Sequence, residues 1–427
     1  MPRREGWFVV SLVGRPGQGL CSTRLMRSTL TRLIGGMKSK RVLLLLSLVA
    51  AVPARAVYAP VPDRTPENIW TVSLRAGVMY DSNIFGAQQN EIDSVVYQAS
   101  PSIGYTGSLS DQTFASFNYT LIVDHFVDRP GDKTLDSHSL FARLAHAFGP
   151  ATNIDISDAY QISRNPESLL AGLPLNSNQS FRRNQLDGRF NTLPLPKLGL
   201  TLKVRSINYD YDNASLGDQL DRTENLFGVS GSHAWLPELK AVAEYRHEEI
   251  SYRSGGRVKD KTSDFLIGGF DYAVAKKVSV VARLGEEWRS RSSERSTSGV
   301  YTELSGKFDY ARGSVITAGY VHTLEESSNV ALYTDTRVNR FFVNAQHAVT
   351  ALIVASASVT YEPSELQGRR GVPDADETTT RVGAALTWLP SPRWSYSVSY
   401  DHDKIDSDDP VRGQERDRFG VSAGFTF

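Results

Sequence analysis

Apolar and polar residues alternate with a period of two along residues 70–427. In the first such segment the even positions from Trp70 to Tyr80 are mostly apolar or aromatic. In the last segment the odd positions from Phe419 to Phe427 are apolar. Successive side chains of a β-strand point to opposite sides, so this period predicts strands with one apolar face. We count 18 segments, and weak alternation in Ile154 to Ile162 and Phe181 to Thr192 leaves 16 as the alternative count.

The connections between these segments alternate between short and long. Gly149 to Ala151 and Pro390 to Pro392 are short, whereas Arg164 to Gln179, Glu362 to Asp376 and Asp403 to Glu415 are long and polar. Transmembrane barrels sort their connections in this way, with short periplasmic turns, longer extracellular loops and an even number of strands. A soluble β-sandwich has no reason to do so.

The sequence therefore predicts an all-β fold, a transmembrane antiparallel up-and-down β-barrel of about 18 strands. In hydrocarbon every backbone N–H and C=O must be paired within the protein, and a closed sheet leaves no unpaired edge. Aromatic residues near the segment ends fit the interfacial girdles of such barrels. These residues are Trp70, Tyr80, Trp235, Trp288, Trp388, Trp394, Tyr400 and Phe427. No composition shift divides residues 70–427, so we expect a single domain. Barrels of this type lie in the bacterial outer membrane, and we expect that location for this chain.

The front of the chain resembles an export signal. Lys38, Lys40 and Arg41 precede an apolar stretch, and Ala54-Arg55-Ala56 is a small-x-small cleavage site. We therefore expect a signal peptide over residues 37–56, an over-extended gene start over 1–36 and a periplasmic lead-in over 57–69. Removing residues 1–56 leaves 37 basic and 46 acidic residues, a formal net charge of −9, and no cysteine. This balance argues against nucleic acid as a partner.

The face opposite the apolar one is polar and predicts a water-filled lumen. An 18-stranded barrel is too wide for side chains to fill, and charges are inexpensive on a wet wall. The candidate lumen-lining residues are Arg183, Arg189, Lys203, Arg205, Glu244, Arg246, Glu248, Arg283, Glu303, Lys307, Arg340 and Arg381. Arg183, Arg189, Lys203 and Arg205 form a basic stripe on adjacent strands. This stripe either orients an anionic or sugar-like solute or forms cross-strand ion pairs.

The sequence shows no established catalytic constellation. The eight histidines are scattered, with no HExxH or H-x-H pair. The run Asp401 to Asp409 combines carboxylates with His402 and suggests an outer-rim hydrolase or a divalent cation that bridges lipopolysaccharide. A solvated acidic loop is the competing interpretation. We expect no enzyme activity, no cofactor and no metal.

Two short motifs resemble known outer-membrane families. The last strand, with Phe419, Val421, Phe425 and the terminal Phe427, resembles the C-terminal signal that the barrel-assembly machinery reads. Residues Tyr80 to Phe85 resemble the opening motif of the β-barrel porin 2 type family, although Asp-Ser-Asn is also good turn chemistry.

The porin resemblance implies a channel for small hydrophilic solutes. Members of the family often accompany exopolysaccharide synthesis and export, so an accessory role in exopolysaccharide secretion is the alternative. A hydrolase is a third hypothesis. The expected partners are outer-membrane lipid and lipopolysaccharide, the assembly machinery, and polysaccharide or a small hydrophilic solute.

Overall fold

The computed structural model describes residues 69–164, 180–291, 296–327, 332–410 and 412–427. The expected gene start, signal peptide and nearly all of the lead-in lie outside these ranges. The described residues form 18 strands of 12 to 17 residues. In chain order the strands are β1 (Trp70–Asp81), β2 (Ser94–Ser110), β3 (Thr113–Phe126), β4 (Thr134–Gly149), β5 (Thr152–Ser163), β6 (Phe181–Leu195), β7 (Leu198–Tyr211), β8 (Arg222–Ala234), β9 (Leu239–Tyr252), β10 (Lys261–Ala275), β11 (Val278–Arg291), β12 (Thr297–Ala311), β13 (Ser314–Glu326), β14 (Tyr333–Ala348), β15 (Ile353–Gly368), β16 (Ala375–Trp388), β17 (Trp394–Ser407) and β18 (Gln414–Thr426). Within the described ranges no helix has the length and apolarity needed to cross a membrane.

Each strand pairs antiparallel with its neighbours in the chain, and β1 also pairs with β18. In this closing seam Tyr80 lies opposite Phe419 and Leu74 opposite Phe425. The backbone N–H of Phe427 donates to the carbonyl of Val72 at 2.9 Å. The sheet is therefore a closed 18-stranded meander, which confirms the predicted fold and the strand count.

The connections fall on two sides according to their length. Eight join strands over two to five residues at the end where β1 begins. Nine others, of five to 17 residues and mostly longer, lie at the other end. In barrels of this class the longer loops are extracellular, and we name that end of the barrel accordingly.

The outward face carries the predicted apolar belt. Leu284 is 63 % exposed and Leu266 is 59 % exposed, and other exposed residues on the same outward face are also apolar. All eight aromatic residues assigned to the girdles are exposed as well. A closed barrel with such a surface satisfies its backbone internally and presents hydrocarbon-compatible side chains to lipid. The protein is an outer-membrane β-barrel.

Several extracellular loops are shorter than the sequence predicts. The sequence predicts a loop over Glu362 to Asp376, but β15 continues to Gly368 and β16 begins at Ala375. Likewise β17 runs to Ser407 and β18 begins at Gln414, so most of the acidic run from Asp401 is strand. These extensions carry polar residues on both faces because they rise beyond the apolar layer. The hydropathy signal therefore ends before the strand does.

Several extracellular loops fold onto the inner wall, and two of them form short helical segments. The loop after β7 forms a short helix, α1 (Ala214–Leu220), whose first amides are capped by the Asn213 side chain at 3.0 and 3.3 Å. Leu216 and Leu220 of α1 are buried against the inward-facing Tyr209 and Tyr211. The loop after β9 forms a 3₁₀ turn, Ser254–Lys259, and the Gly255 N–H donates to Asp218 of α1 at 3.2 Å. Both loops therefore cover part of the extracellular mouth.

Candidate pore interior and extracellular constriction

All twelve candidate lumen residues lie on inward-facing positions of their strands, opposite the exposed apolar residues. Three of them form one buried group in the middle of the barrel. The Lys203 Nζ donates to Glu244 Oε1 at 2.8 Å, and the Arg246 Nε donates to the same oxygen at 2.6 Å. A carboxylate thus separates two cations on β7 and β9, across the intervening β8. Glu248 is buried two positions further along β9.

The basic stripe on β6 and β7 is matched by acceptors. Arg205 Nε donates to Asp187 Oδ1 at 2.7 Å, and Arg183 Nε donates to the Tyr209 hydroxyl at 3.0 Å. Arg189 lies directly opposite Asp155 in the pairing of β5 with β6. These contacts agree with the interpretation of the basic stripe as cross-strand ion pairs. A role of these residues in solute passage stays a prediction.

The remaining candidates also have polar neighbours. Arg340 Nη2 donates to Glu325 at 3.1 Å and its Nε to Glu362 at 2.5 Å, while Glu303 accepts from the Tyr301 hydroxyl at 2.9 Å. Other contacts join Arg283 to Asp271, Arg381 to Asp403 at 4.0 Å, and Lys307 to Asp309 at 3.1 Å. Charges of both signs therefore alternate around the wall.

The exposure of these charges changes along the barrel axis. Near the periplasmic end the side chains of Lys307 and Asp309 are 43 % and 51 % exposed. Near the extracellular end the side chains of Arg289 and Asp335, which form an ion pair, are both 0 % exposed. Long charged side chains and inward loops therefore pack more closely in the extracellular half of the barrel than in the periplasmic half, and we call the extracellular half the constriction. The water-filled lumen stays a prediction.

Hydrogen bonds in the constriction join strands that are not neighbours in the sheet. The Tyr252 hydroxyl at the end of β9 donates to Glu326 at the end of β13 at 2.7 Å. The Tyr333 hydroxyl of β14 donates to Asp409, in the loop after β17, at 3.3 Å. Such links form only where side chains reach inward across the curve of the wall. They fix the rim of the constriction.

Cations and aromatic rings alternate across four adjacent strands of this rim. The guanidinium carbons of Arg183 and Arg222 lie 5.6 and 4.0 Å from the ring centre of Tyr209. The guanidinium carbon of Arg222 also lies 5.8 Å from the ring centre of Tyr252, and the Nζ of Lys259 lies 4.1 Å from it. We call these five residues the cation–aromatic row. The sequence did not reveal this row because Arg222 and Lys259 fall at a strand end and in a loop, where no face periodicity marks them.

The residues of the opening motif have a structural role at the closing seam. The Asp81 carboxylate is buried and accepts from Arg416 of β18 at 2.9 Å and from the Asn83 N–H at 3.1 Å. The Asn83 amide donates to the carbonyls of Ala87 and Glu415 at 2.7 and 3.0 Å. The motif therefore fastens the first extracellular loop to the last strand.

The candidate hydrolase residues lie on opposite sides of the wall. His402 is on the outer face and its Nδ1 contacts Asp417 at 2.9 Å, whereas the buried Asp403 accepts from Arg418 inside at 2.7 Å. Successive side chains of a strand cannot converge on one substrate. The ligand atoms of His402, Glu415 and Asp417 lie within 4.8 Å of one another on the outer surface. Most of the run from Asp401 to Asp409 is strand, and Asp401 and Asp403 are buried. The expectation of a solvated acidic loop is therefore wrong for this run.

A Tyr-x-His pair recurs on the outer face beside an Asp or Asn of the next strand. In each case the tyrosine hydroxyl and the histidine Nδ1 contact the same side-chain oxygen at 2.6 to 2.9 Å. The three sets are Tyr245, His247 and Asp264; Tyr320, His322 and Asn339; and Tyr400, His402 and Asp417. Two residues after the Asp or Asn, towards the periplasm, the same strand carries an exposed apolar residue, which is Leu266, Phe341 or Phe419. The sets therefore mark one height, the extracellular edge of the apolar belt.

Comparison with known proteins gives structural similarity only. No family model matches the chain, and no curated protein matches it. OpdQ from Pseudomonas aeruginosa is 12 % identical, with a TM-score of 0.44 over 84 % of this chain and 97 % of that chain. A BenF-like porin from Pseudomonas fluorescens Pf-5 is 9 % identical, with a TM-score of 0.47 over 84 % and 99 %. The siderophore receptor PirA from Pseudomonas aeruginosa is 10 % identical, with a TM-score of 0.43 over 85 % and 81 %. Similarities this weak carry neither a solute nor a role over to this chain, and membership of the β-barrel porin 2 type family stays a hypothesis.

Proposed function

We propose that this protein is a porin-like, non-enzymatic channel for passive passage of small hydrophilic solutes across the outer membrane. The observation that supports it most directly is the division of the wall, with exposed apolar residues outside and charges of both signs inside. On a lipid-facing surface an Arg or Lys at the midplane costs about 2–4 kcal/mol. An interior rich in charges is therefore suited to water and polar solutes.

The constriction gives this channel its selectivity. Ion pairs such as Arg289 with Asp335 hold fixed charges of both signs beside the path, where reduced dielectric strengthens their action on a passing solute. The periplasmic half has more exposed charges and offers less resistance. Passage is then governed by the rim near α1 and the 3₁₀ turn.

The test is conduction by the purified full chain in planar lipid bilayers. We expect discrete conductance steps. A barrel that is shown to be folded in the same membranes and never conducts would refute the proposal.

An accessory role in exopolysaccharide secretion is the second candidate. The inward-facing rings of Tyr209 and Tyr252 beside cations favour it, because aromatic faces next to charges suit acidic sugars. Deletion of the gene should then reduce surface polysaccharide. Unchanged polysaccharide in the deletion strain would remove this candidate and leave the channel.

A further inference from the structure

Lys259, at the end of the 3₁₀ turn, carries a buried amine. The residue is 4 % exposed, and its Nζ has no hydrogen-bond partner among the described residues. Buried charges are normally paired, because removing an ammonium group from water is costly. Its neighbour Lys261 follows that rule, since it is equally buried and forms an ion pair with Glu326.

The surroundings of Lys259 increase its need for an anion. Its Nζ lies 4.1 Å from the ring centre of Tyr252, and this cation–π contact supplies no hydrogen-bond acceptor. Burial, reinforced by the positive charges of Arg222, Arg369 and Arg291, holds the pKa of Lys259 well below its usual range. Arg222 and Lys259 flank the same ring, so their charges lie within about 10 Å of each other.

The turn that carries Lys259 is held in place by several contacts. The Gly255 N–H donates to Asp218 of α1 at 3.2 Å. The Asp260 carboxylate accepts from the Tyr252 N–H at 2.7 Å, and the Asp260 N–H donates to the Arg257 carbonyl at 3.0 Å. The fold therefore keeps the amine at the rim of the constriction even though no residue that the structure describes supplies an acceptor.

We propose that the oxyanion group of a negatively charged solute binds at the constriction beside Lys259, with Arg222 as the second cation. Carboxylate and phosphate oxygens supply the acceptors that the amine lacks, and a charge-assisted hydrogen bond is among the stronger ones. The remainder of the cation–aromatic row leads from this site towards the partly exposed Arg183 and gives the solute further cationic and aromatic contacts. As a statement about the transported solute, the inference rests on the proposed channel function.

Thermal unfolding of the full chain in detergent tests binding without requiring conduction. Inorganic phosphate and acetate are the two probes, and each is compared with chloride at the same pH and ionic strength. We expect a higher unfolding temperature with at least one oxyanion. Lys259→Met should abolish this increase and should itself raise the unfolding temperature in chloride, because it removes an uncompensated buried charge. Lys307→Met, at an exposed ion pair, is the matched control and should keep the oxyanion effect.

An oxyanion effect that persists in Lys259→Met, or that is lost equally in Lys307→Met, would overturn the site. Should Lys259→Met fail to fold, Lys259→Gln provides the same comparison. In bilayers, block of the current by the effective oxyanion should become about tenfold weaker in Lys259→Met. A barrel that is stabilised through Lys259 but never conducts would keep the site and refute the channel. A conducting barrel whose unfolding temperature responds to neither probe would keep the channel and refute the site.

Discussion

The buried ion pair between Asp81 and Arg416 should be a main stabilising element of the closing seam. We predict that Asp81→Ala destabilises the barrel strongly. The Asp81 side chain is 0 % exposed and that of Arg416 is 4 % exposed, so the substitution leaves a buried guanidinium without this carboxylate. It also removes the acceptor for the Asn83 N–H, which positions the first extracellular loop.

The expected magnitude follows from these losses. Breaking a buried ion pair by removing one partner costs about 3–5 kcal/mol, because the remaining charge stays desolvated. Removing both charges together should cost less. The double variant Asp81→Ala/Arg416→Met should therefore be more stable than the sum of the single changes predicts, by about 1–3 kcal/mol.

The assay is urea unfolding of the refolded barrel in lipid vesicles, read by tryptophan fluorescence. The exposed pair Lys307 and Asp309 provides the control cycle, and the coupling energy there should be about 0–1 kcal/mol. Equal coupling energies in the two cycles would refute the account of a buried seam contact.

Three further predictions concern the wall, the mouth and the last strand. Leu284→Arg on the lipid face should destabilise by about 2–4 kcal/mol, whereas Ser279→Arg on the inward face of the same strand should cost little; equal urea midpoints would contradict the assignment of faces. Leu216→Asp should detach α1 from its apolar contacts and increase single-channel conductance; unchanged conductance would show that α1 does not narrow the mouth. Deletion of Phe427 should lower the amount of barrel in the outer membrane of cells while refolding in detergent is preserved, and unaltered membrane levels would contradict its role as an assembly signal.

The fold could be predicted from the sequence because the apolar outer face and the connection lengths can both be recognised in short segments of the chain. Lipid demands an apolar face, and this gives the period of two from Trp70 to Phe427. The alternation of short and long connections predicts an up-and-down meander. An even number of strands allows the last strand to pair antiparallel with the first. Strands β5 and β6 alternate weakly in sequence but pair in full register from Ser163 to Thr152, because backbone pairing with neighbours decides where hydropathy does not.

The upper parts of the strands could not be predicted in the same way. Beyond the apolar layer both faces of β15 and β17 meet polar surroundings, so Glu365 and Lys404 give no periodic signal. The same holds for the interior. The inward position of Arg205 follows from its parity, but its contact with Asp187 depends on the register between β6 and β7, which only the folded sheet sets.

The constriction is the least predictable part of the molecule. It depends on where loops fold, and the sequence around Asn213 and Lys259 shows only long polar connections. The cap by Asn213 and the burial of Leu216 and Leu220 direct α1 onto the wall. These contacts link residues from different strands and loops, and no single segment of the chain contains their signal.

Single-channel recording of the purified full chain is the decisive measurement of whether this barrel is a channel. We expect discrete conductance steps from a barrel that is demonstrably folded, with a smaller conductance than a clear 18-stranded lumen would give, because inward loops and charged side chains narrow the extracellular half. A folded, membrane-inserted barrel that shows no steps at any voltage or salt concentration would contradict this expectation.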